Sequence, residues 1–185
     1  NKYKELQIGD DAGPLKDAFG QVTDAKAAMT FPGGTHDLWL RYWLAAAGIT
    51  PGQDVSTIVV PPPQMVANVK VNAMEAFCVG EPWPLQTVNQ KVGYQAVTTG
   101  QLWKNHPEKA LGMRADWVDQ NPKAAKALLM ATLEGQQWCD KPENKEEMCQ
   151  IVSKREWFKV PYEDIVDRSK GDYDFGDGET FNDPD

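Results

Sequence analysis

The sequence predicts an α/β lobe whose second half is helical. Short apolar runs alternate with amphipathic segments in the first part of the chain, the pattern of strands and helices packed in layers. Helical periodicity dominates from Asn121 onward. With 41% hydrophobic and 25% charged residues, the chain has the composition of a globular domain with a sizeable core. No apolar run approaches the ~18 residues that span a bilayer, and no signal-peptide pattern is visible.

The predicted strands are short and apolar or β-branched, and the first three stop at Pro or Gly. They fall at residues 27–31, 57–60 and 76–79, with further candidates at 95–98 and 110–113. Predicted helices lie at 15–19, between Thr35 and Gly48, at 64–71, after Glu81-Pro82, from Asn121-Pro122 to Trp138, and at 143–152 and 161–168.

Two of these helices carry an apolar face, which predicts packing against a core. Helical spacing assigns the first face to Leu38, Trp39, Tyr42, Trp43 and Ala46. The same spacing assigns the second face to Ala124, Ala127, Leu128, Ala131 and Trp138.

The sequence pattern divides the chain into three parts. Residues 1–26 form a peripheral or linker segment, 27–171 the α/β lobe with its helical extension, and 172–185 an acidic tail. Of the net charge of −8, residues 163–185 hold −7, from nine acidic and two basic side chains. The remaining body is nearly neutral and has no basic stripe, which excludes nucleic acid as a partner. We expect the tail to be extended or mobile, because it has little apolar content.

A first candidate binding segment is 31–37, where a predicted strand ends at Pro32-Gly33-Gly34 and a helix follows. The glycines let the backbone approach a ligand closely, and the helix start offers free N–H groups and a positive dipole end. Thr35 or His36 lies in its first turn, which suits a small anion. The alternative is a plain strand–helix turn with Thr35 as the N-cap and His36 exposed.

Two further segments occupy comparable positions, since ligands of α/β lobes collect where strands end. At 78–83, the backbone of Gly80 follows a buried strand, and Glu81 and Trp83 follow it at the rim. At 103–109, two lysines and His106 favour an anion. The alternatives are an ordinary strand–helix junction at 78–83 and a solvated polar loop at 103–109.

Enzymatic and metal-binding motifs are weak. His36 and Cys78 form a conceivable nucleophile–base pair, but their spacing does not require it. The chain has neither the His spacing of a metalloprotease nor a phosphate loop. Residues 172–179 only partly match a calcium loop, because Gly176 stands where a ligand is expected. We therefore predict no enzyme, no metal and no cofactor.

Three cysteines are too few for a disulfide scaffold. Cys139 and Cys149 flank a turn between two predicted helices. Two interpretations remain open, a disulfide across this hairpin or two reduced, half-buried thiols.

Taken together, these segments closely resemble the nitrate-binding proteins of cyanobacterial nitrate/nitrite ABC transporters, over most of the chain from residue 25 to about 171. The segments that carry the resemblance are Ala28-Met29-Thr30-Phe31-Pro32-Gly33-Gly34-Thr35-His36-Asp37-Leu38-Trp39, Val59-Val60-Pro61-Pro62-Pro63-Gln64-Met65-Val66-Ala67-Asn68, Phe77-Cys78-Val79-Gly80-Glu81-Pro82-Trp83, His106-Pro107-Glu108-Lys109 and Trp138-Cys139-Asp140-Lys141-Pro142-Glu143-Asn144-Lys145.

The resemblance implies a lobe of a two-lobed, type II periplasmic-binding-protein clamshell that holds nitrate or nitrite in its cleft. It implies ligand contacts from His36, the backbone of Gly80 and Lys109, with Thr35 and Glu81 as possible secondary contacts. It also implies that the other contacts come from a preceding lobe. The expected partners are the transporter's permease subunits, and the expected location is the periplasmic face of the cytoplasmic membrane, with a membrane tether.

Two related functions remain as alternatives. In the similar bicarbonate-binding proteins, a carboxylate is expected at the position of Lys109, and calcium helps to hold the ligand. Similar lobes are also fused to transporter ATP-binding subunits as regulatory anion sensors. Lys109 favours nitrate or nitrite, because a lysine supplies positive charge without a metal.

Overall fold

A computed structural model describes residues 13–183, with side chains from Leu15 onward. The strands are Lys26–Met29 (β1), Ser56–Val59 (β2), Ala76–Phe77 (β3), Asp172–Asp174 (β4) and Thr180–Asn182 (β5). The α-helices are Gly13–Gly20 (α1), Thr35–Ala46 (α2), Met65–Lys70 (α3), Trp83–Asn89 (α4), Thr99–Leu102 (α5), Ala115–Gln120 (α6), Pro122–Asp140 (α7), Lys145–Val152 (α8) and Val166–Ser169 (α9). Short 3-10 turns lie at Pro62–Gln64, Pro142–Asn144 and Tyr162–Asp164. The predicted features at 1–12 and 184–185 lie outside the described residues.

A three-stranded parallel sheet in the order β2-β1-β3 forms the base of the lobe. Ala27 of β1 pairs with Thr57 on one side and Ala76 on the other. Helix α2 connects β1 to β2, and α3 connects β2 to β3. Because the strands are parallel, the loops that follow β1 and β3 emerge at the same edge of the sheet.

Apolar clusters cover both faces of this sheet. Consecutive residues of β1 point to opposite faces, so Ala27 joins the cluster that includes Trp39 and Leu44 of α2, whereas Ala28 joins the cluster around Met65 of α3. Leu15 of α1 also lies in the α2 cluster, so the segment predicted to be peripheral contributes to the core.

The predicted apolar face of α2 is displaced by part of a turn. The buried apolar residues are Trp39, Leu40, Trp43, Leu44 and Ala46, whereas Leu38 is 59% exposed. The pairs 39/40 and 43/44 follow the helical repeat and form one stripe, and Leu38 lies at its solvent edge.

Two predicted strands are wrong, since neither 95–98 nor 110–113 forms a strand in the described structure. The first runs beside the hairpin, where the N–H of Gln95 donates to the carbonyl of Phe175 at 2.8 Å. It then enters α5 through a capping box between Thr98 and Gln101. Leu111 in the second segment is exposed, so the apolar composition does not reflect burial.

The second half is helical as predicted, but the predicted apolar face of α7 is wrong. Ala125 is the buried residue of this helix, and Leu128 on the predicted face is about half exposed. The 161–168 helix is divided between the 3-10 turn Tyr162–Asp164 and α9. A third cluster of Trp83, Cys149, Val160 and Ile165 connects these elements to α4.

The acidic tail is folded, which corrects the expectation of an extended or mobile segment. Strands β4 and β5 form an antiparallel hairpin, and Phe175 beside it is fully buried. At the turn, the N–H of Gly176 donates to Asp174 Oδ1 at 2.8 Å, and the N–H of Glu179 donates to Asp177 Oδ1 at 3.1 Å. The Asp and Gly residues that suggested a calcium loop therefore form turn hydrogen bonds.

The cysteines are free thiols in this structure. Cys149 is buried, and its Sγ lies 2.9 Å from Ser169 Oγ of α9. No described helix is long and apolar enough to cross a bilayer.

Candidate functional site

His36 and Gly80 come together at the edge where β1 and β3 end. His36 lies in the first turn of α2, and Gly80 follows β3 by three residues. A Cβ atom built on Gly80 would lie 3.8 Å from Nε2 of His36. The imidazole edge therefore lies beside the backbone of Gly80, and a larger residue at position 80 would narrow the space between them.

The start of α2 is held by a buried carboxylate. Asp37 is 4% exposed and accepts a hydrogen bond of 2.8 Å from the N–H of Gly33 and one of 2.7 Å from Arg41 Nε. Gly33 has a φ of +76°, which suits glycine because it has no Cβ. The N-cap residue Gly34 makes no side-chain cap. Because no N-cap side chain accepts from them, the backbone N–H groups of the first turn are available to a ligand.

Thr30 fixes the orientation of the His36 ring. Its Oγ1 lies 3.0 Å from Nδ1 of His36, at the end of β1. Burial lowers the pKa of His36 below its ordinary value of 6.5, and the charge of Lys109 lowers it further, whereas Glu108 opposes both effects. The ring is thus neutral at pH 7, and it can donate from Nε2 when the Thr30 hydroxyl donates to Nδ1.

Lys109 lies in the loop that follows α5 and carries the positive charge of this region. Its side chain is 76% exposed, and its Nζ pairs with Oε1 of Glu108. The same Glu108 oxygen accepts a hydrogen bond of 3.3 Å from Thr35 Oγ1. The loop therefore meets the start of α2, which brings Lys109 into electrostatic contact with His36.

His106 supports this loop and is not available to an anion. Its Nε2 lies 2.9 Å from Thr99 Oγ1, and its Nδ1 lies 3.0 Å from the carbonyl of Pro107. Its ring also packs edge-on against Trp39 of α2, at 4.6 Å between centroids. Because the Pro107 carbonyl can only accept, Nδ1 carries a proton in this contact, and both ring nitrogens already have partners.

The carboxylate of Glu81 contacts Arg168 of α9 and the backbone of α4. Its Oε1 lies 3.1 Å from Nε of Arg168, and its Oε2 accepts from the N–H of Leu85 at 3.1 Å. Burial raises the pKa of Glu81, and the charge of Arg168 opposes that effect. Glu81, predicted as a possible secondary ligand contact, therefore connects the segment after β3 to Arg168 through an ion pair.

Arg168 connects this strand end to the C-terminal hairpin and was not identified from the sequence. Its side chain is 3% exposed. The guanidinium donates to Gln95 Oε1 at 2.9 Å and to the carbonyl of Asp174 at 2.8 Å, and it lies 4.6 Å from the centre of the Tyr173 ring. The available signal was an arginine in a segment where acidic side chains greatly outnumber basic ones.

Cys78 does not have the properties of a nucleophile. Burial, and then the charge of Glu108, raise the pKa of its thiol to about 12. A thiolate at neutral pH would require a strongly lowered pKa. The pairing of His36 with Cys78 in a hydrolase is therefore opposed by the local electrostatics.

A cavity of about 470 Å³ borders Gly80 and Glu81. Its lining is mainly apolar and includes Trp39, Trp43 and Phe77. His36 and Lys109 lie outside this lining, so the candidate anion site is at the margin of the cavity and not within it.

Comparison with known proteins identifies the family. The sequence profile of the NMT1-like family matches residues 1–153. The chain belongs to the NMT1-like family. The Nitrate/nitrite binding protein NrtA of Synechocystis sp. is 80% identical to this NMT1-like chain over 184 residues, which are 99% of the chain and 41% of that relative.

A solved relative confirms the predicted fold class. The crystal structure of the periplasmic nitrate-binding protein NrtA from Synechocystis matches the NMT1-like chain with a TM-score of 0.88 and 80% identity, over 99% of this chain and 48% of that one. The NMT1-like chain thus spans less than half the length of these relatives. The resemblance to nitrate-binding proteins and the fold of an α/β binding-protein lobe are both confirmed.

Two relatives correspond to the alternative functions. The Bicarbonate-binding protein CmpA of Synechococcus sp. is 44% identical to the NMT1-like chain over 188 residues, or 98% of the chain and 42% of that protein. The Nitrate import ATP-binding protein NrtC of Synechocystis sp. is 38% identical over 148 residues, or 80% of the chain and 22% of that protein. The identity to NrtA is far higher than either of these values.

Proposed function

We propose that this chain is the part of a periplasmic nitrate/nitrite-binding protein in which His36, the backbone of Gly80 and Lys109 contact the anion. The observation that supports this most strongly is the approach of His36 Nε2 to Gly80, with Lys109 as the cation beside them. The 80% identity to NrtA supports nitrate or nitrite as the ligand. The captured anion passes unchanged to the permease subunits of an ABC transporter, without covalent chemistry.

The chemistry of these groups suits a small planar anion of single charge. The neutral imidazole donates one hydrogen bond, the backbone at Gly80 lies against it, and the ammonium group balances the charge. An anion leaves bulk water for such a site only if fixed donors and a cation replace its hydration. This arrangement requires no metal, which separates the proposal from calcium-assisted binding of bicarbonate.

The location follows from the same proposal. We place the whole protein on the periplasmic face of the cytoplasmic membrane, held there by a membrane tether, where it collects its anion before transport. The solved relative is a periplasmic protein, which supports this compartment. A regulatory sensor fused to an ATP-binding subunit is the weaker hypothesis, because NrtC is only 38% identical to this chain.

The test is calorimetric titration of the whole protein with nitrate, nitrite and bicarbonate, each with and without calcium. The proposal predicts that nitrate or nitrite binds with one site per protein and that calcium does not change the affinity. Binding of bicarbonate alone, and only with calcium, would contradict it and favour the CmpA-like function.

A further inference from the structure

Glu108 occupies the donors that the proposed ligand would use. One carboxylate oxygen accepts the hydrogen bond from Thr35 Oγ1 at 3.3 Å and also pairs with Nζ of Lys109. The other oxygen lies 4.0 Å from Nδ1 of His106. The carboxylate of Glu108 therefore occupies the cation, Lys109, that a bound anion would pair with. Glu108 was not identified as a site residue from the sequence.

Glu108 interacts electrostatically with several residues of the candidate site. Burial acts to raise the pKa of Glu108, but the hydrogen bond from Lys109 and the charge of Lys109 outweigh burial and lower it. The hydrogen bond from Thr35 lowers the pKa of Glu108 as well, and so would the charge of His36 when its ring is protonated. The negative charge of Glu108 in turn raises the pKa of the Cys78 thiol. With His36 neutral at pH 7, the positive charge of Lys109 balances the negative charge of Glu108.

We propose that Glu108 is a specificity-determining residue that admits a monovalent anion and rejects a divalent one. This inference rests on the proposed function of the same site. An entering anion must replace Glu108 as the ion-pair partner of Lys109, and the carboxylate of Glu108 then repels the ligand. One negative charge on the ligand is balanced by Lys109, whereas a second would face Glu108 without a cation. The charge of Glu108 therefore excludes sulfate, a divalent oxyanion.

The competing interpretation is that Glu108 only positions Lys109 and contributes nothing to selectivity. The two interpretations differ in the sign of the effect of removing the charge. If Glu108 competes with the ligand, its neutral isostere tightens anion binding. If it only holds the lysine in place, the same change weakens binding.

The experiment is calorimetric titration of nitrate and of sodium sulfate into the whole protein and its Glu108→Gln variant. Glutamine retains the size of the side chain and an oxygen that accepts from Thr35. We expect nitrate to bind about threefold to tenfold more tightly to the variant, a range that reflects the 39% exposure of Glu108. We expect measurable sulfate binding in the variant and none in the unmodified protein. Both effects should diminish as the ionic strength rises.

Glu134→Gln is the matched control, because Glu134 is an exposed acid of α7. It should leave both titrations unchanged. Weaker or unaltered nitrate binding by Glu108→Gln, or a failure to admit sulfate, would overturn the inference. Nitrate binding by the unmodified protein is measured in the same series, so such a result would leave the proposed function standing. Absence of nitrate binding in both proteins would refute both proposals.

Discussion

The hydroxyl oxygen of Thr30 lies 3.0 Å from Nδ1 of His36, which connects the end of the central strand to the first turn of the following helix. Because the pKa of His36 is lowered, the ring is neutral at pH 7, and the proposed anion would meet it in that form. A neutral imidazole has one N–H, and this contact determines whether that proton is on the nitrogen that faces Gly80.

Replacement of Thr30 by valine should therefore weaken nitrate binding without unfolding the protein. Valine has nearly the same shape but no hydroxyl, so the proton of His36 is no longer held on Nε2. A neutral hydrogen bond of about 0.5–1.5 kcal/mol corresponds to roughly a threefold to tenfold loss of affinity. Calorimetry measures this loss, and Thr30→Ser should restore binding. Equal weakening by valine and serine would show that the hydroxyl is irrelevant.

The affinity for nitrate should rise as the pH falls below 6.5. Burial and Lys109 lower the pKa of His36 because they disfavour its cation, and a bound anion offsets both effects. Binding and protonation of His36 therefore favour each other. The affinity should stop changing once the pH is well above the pKa of His36 in the anion complex, because the ring is then neutral in both the free and the bound protein. Below the lowered pKa, the protonated His36 ring attracts nitrate in addition to Lys109. The negative charge of Glu108 partly offsets this attraction.

Titrations at pH 8, 7, 6 and about 5.5 would follow this linkage. The His36→Gln variant should bind more weakly at every pH and lose the rise at low pH. A rise of the same size in that variant would assign the effect to another group.

The ion pair between Glu81 and Arg168 should be a main determinant of stability. Replacement of Arg168 by methionine leaves a largely buried carboxylate without its cation. We expect a loss of about 2–4 kcal/mol in the free energy of unfolding, below the upper range for buried pairs because Glu81 is 30% exposed. Denaturant unfolding measures this loss.

The double variant Glu81→Gln with Arg168→Met should recover part of the lost free energy of unfolding. If it recovers none, the loss comes from the contacts of Arg168 with Gln95 and Asp174 and not from the ion pair.

The displaced face of α2 predicts unequal effects for two leucines in one helix. Leu44 is fully buried, so Leu44→Ala should cost about 2–5 kcal/mol of unfolding free energy. Leu38 is exposed, and Leu38→Ala should change stability by about 0.5 kcal/mol or less. Thermal and denaturant unfolding of both variants compares them directly. Similar losses at the two positions would restore the face predicted from the sequence.

The sequence predicted the parts of the fold that depend on local signals. Strands that stop at Pro or Gly and helices that begin after them are encoded within a few residues, so β1, α2 and the start of α7 were located closely. The failures depend on tertiary context. An apolar run such as 110–113 becomes a strand only if a neighbouring strand pairs with it, and sequence alone does not supply that partner.

The candidate site divides in the same way. His36 and Gly80 follow from the rule that ligands collect where parallel strands end, and the resemblance added Lys109. The roles of Glu108 and Arg168 depend on contacts across long separations, such as the 73 positions from Thr35 to Glu108. Thr30 lies only six positions from His36, but no sequence pattern indicated their contact. The acidic composition also concealed the hairpin, whose burial of Phe175 and contact with Arg168 depend on the rest of the fold.

Charge reversal at Lys109 tests the central claim most directly. Calorimetric titration of nitrate into the Lys109→Glu variant of the whole protein should show no binding, since the cation is replaced by a second carboxylate beside Glu108. Lys104→Glu is the matched control, because Lys104 is an exposed lysine of the same loop and should leave the affinity nearly unchanged. Nitrate binding of unaltered affinity in Lys109→Glu would contradict the assignment of the site.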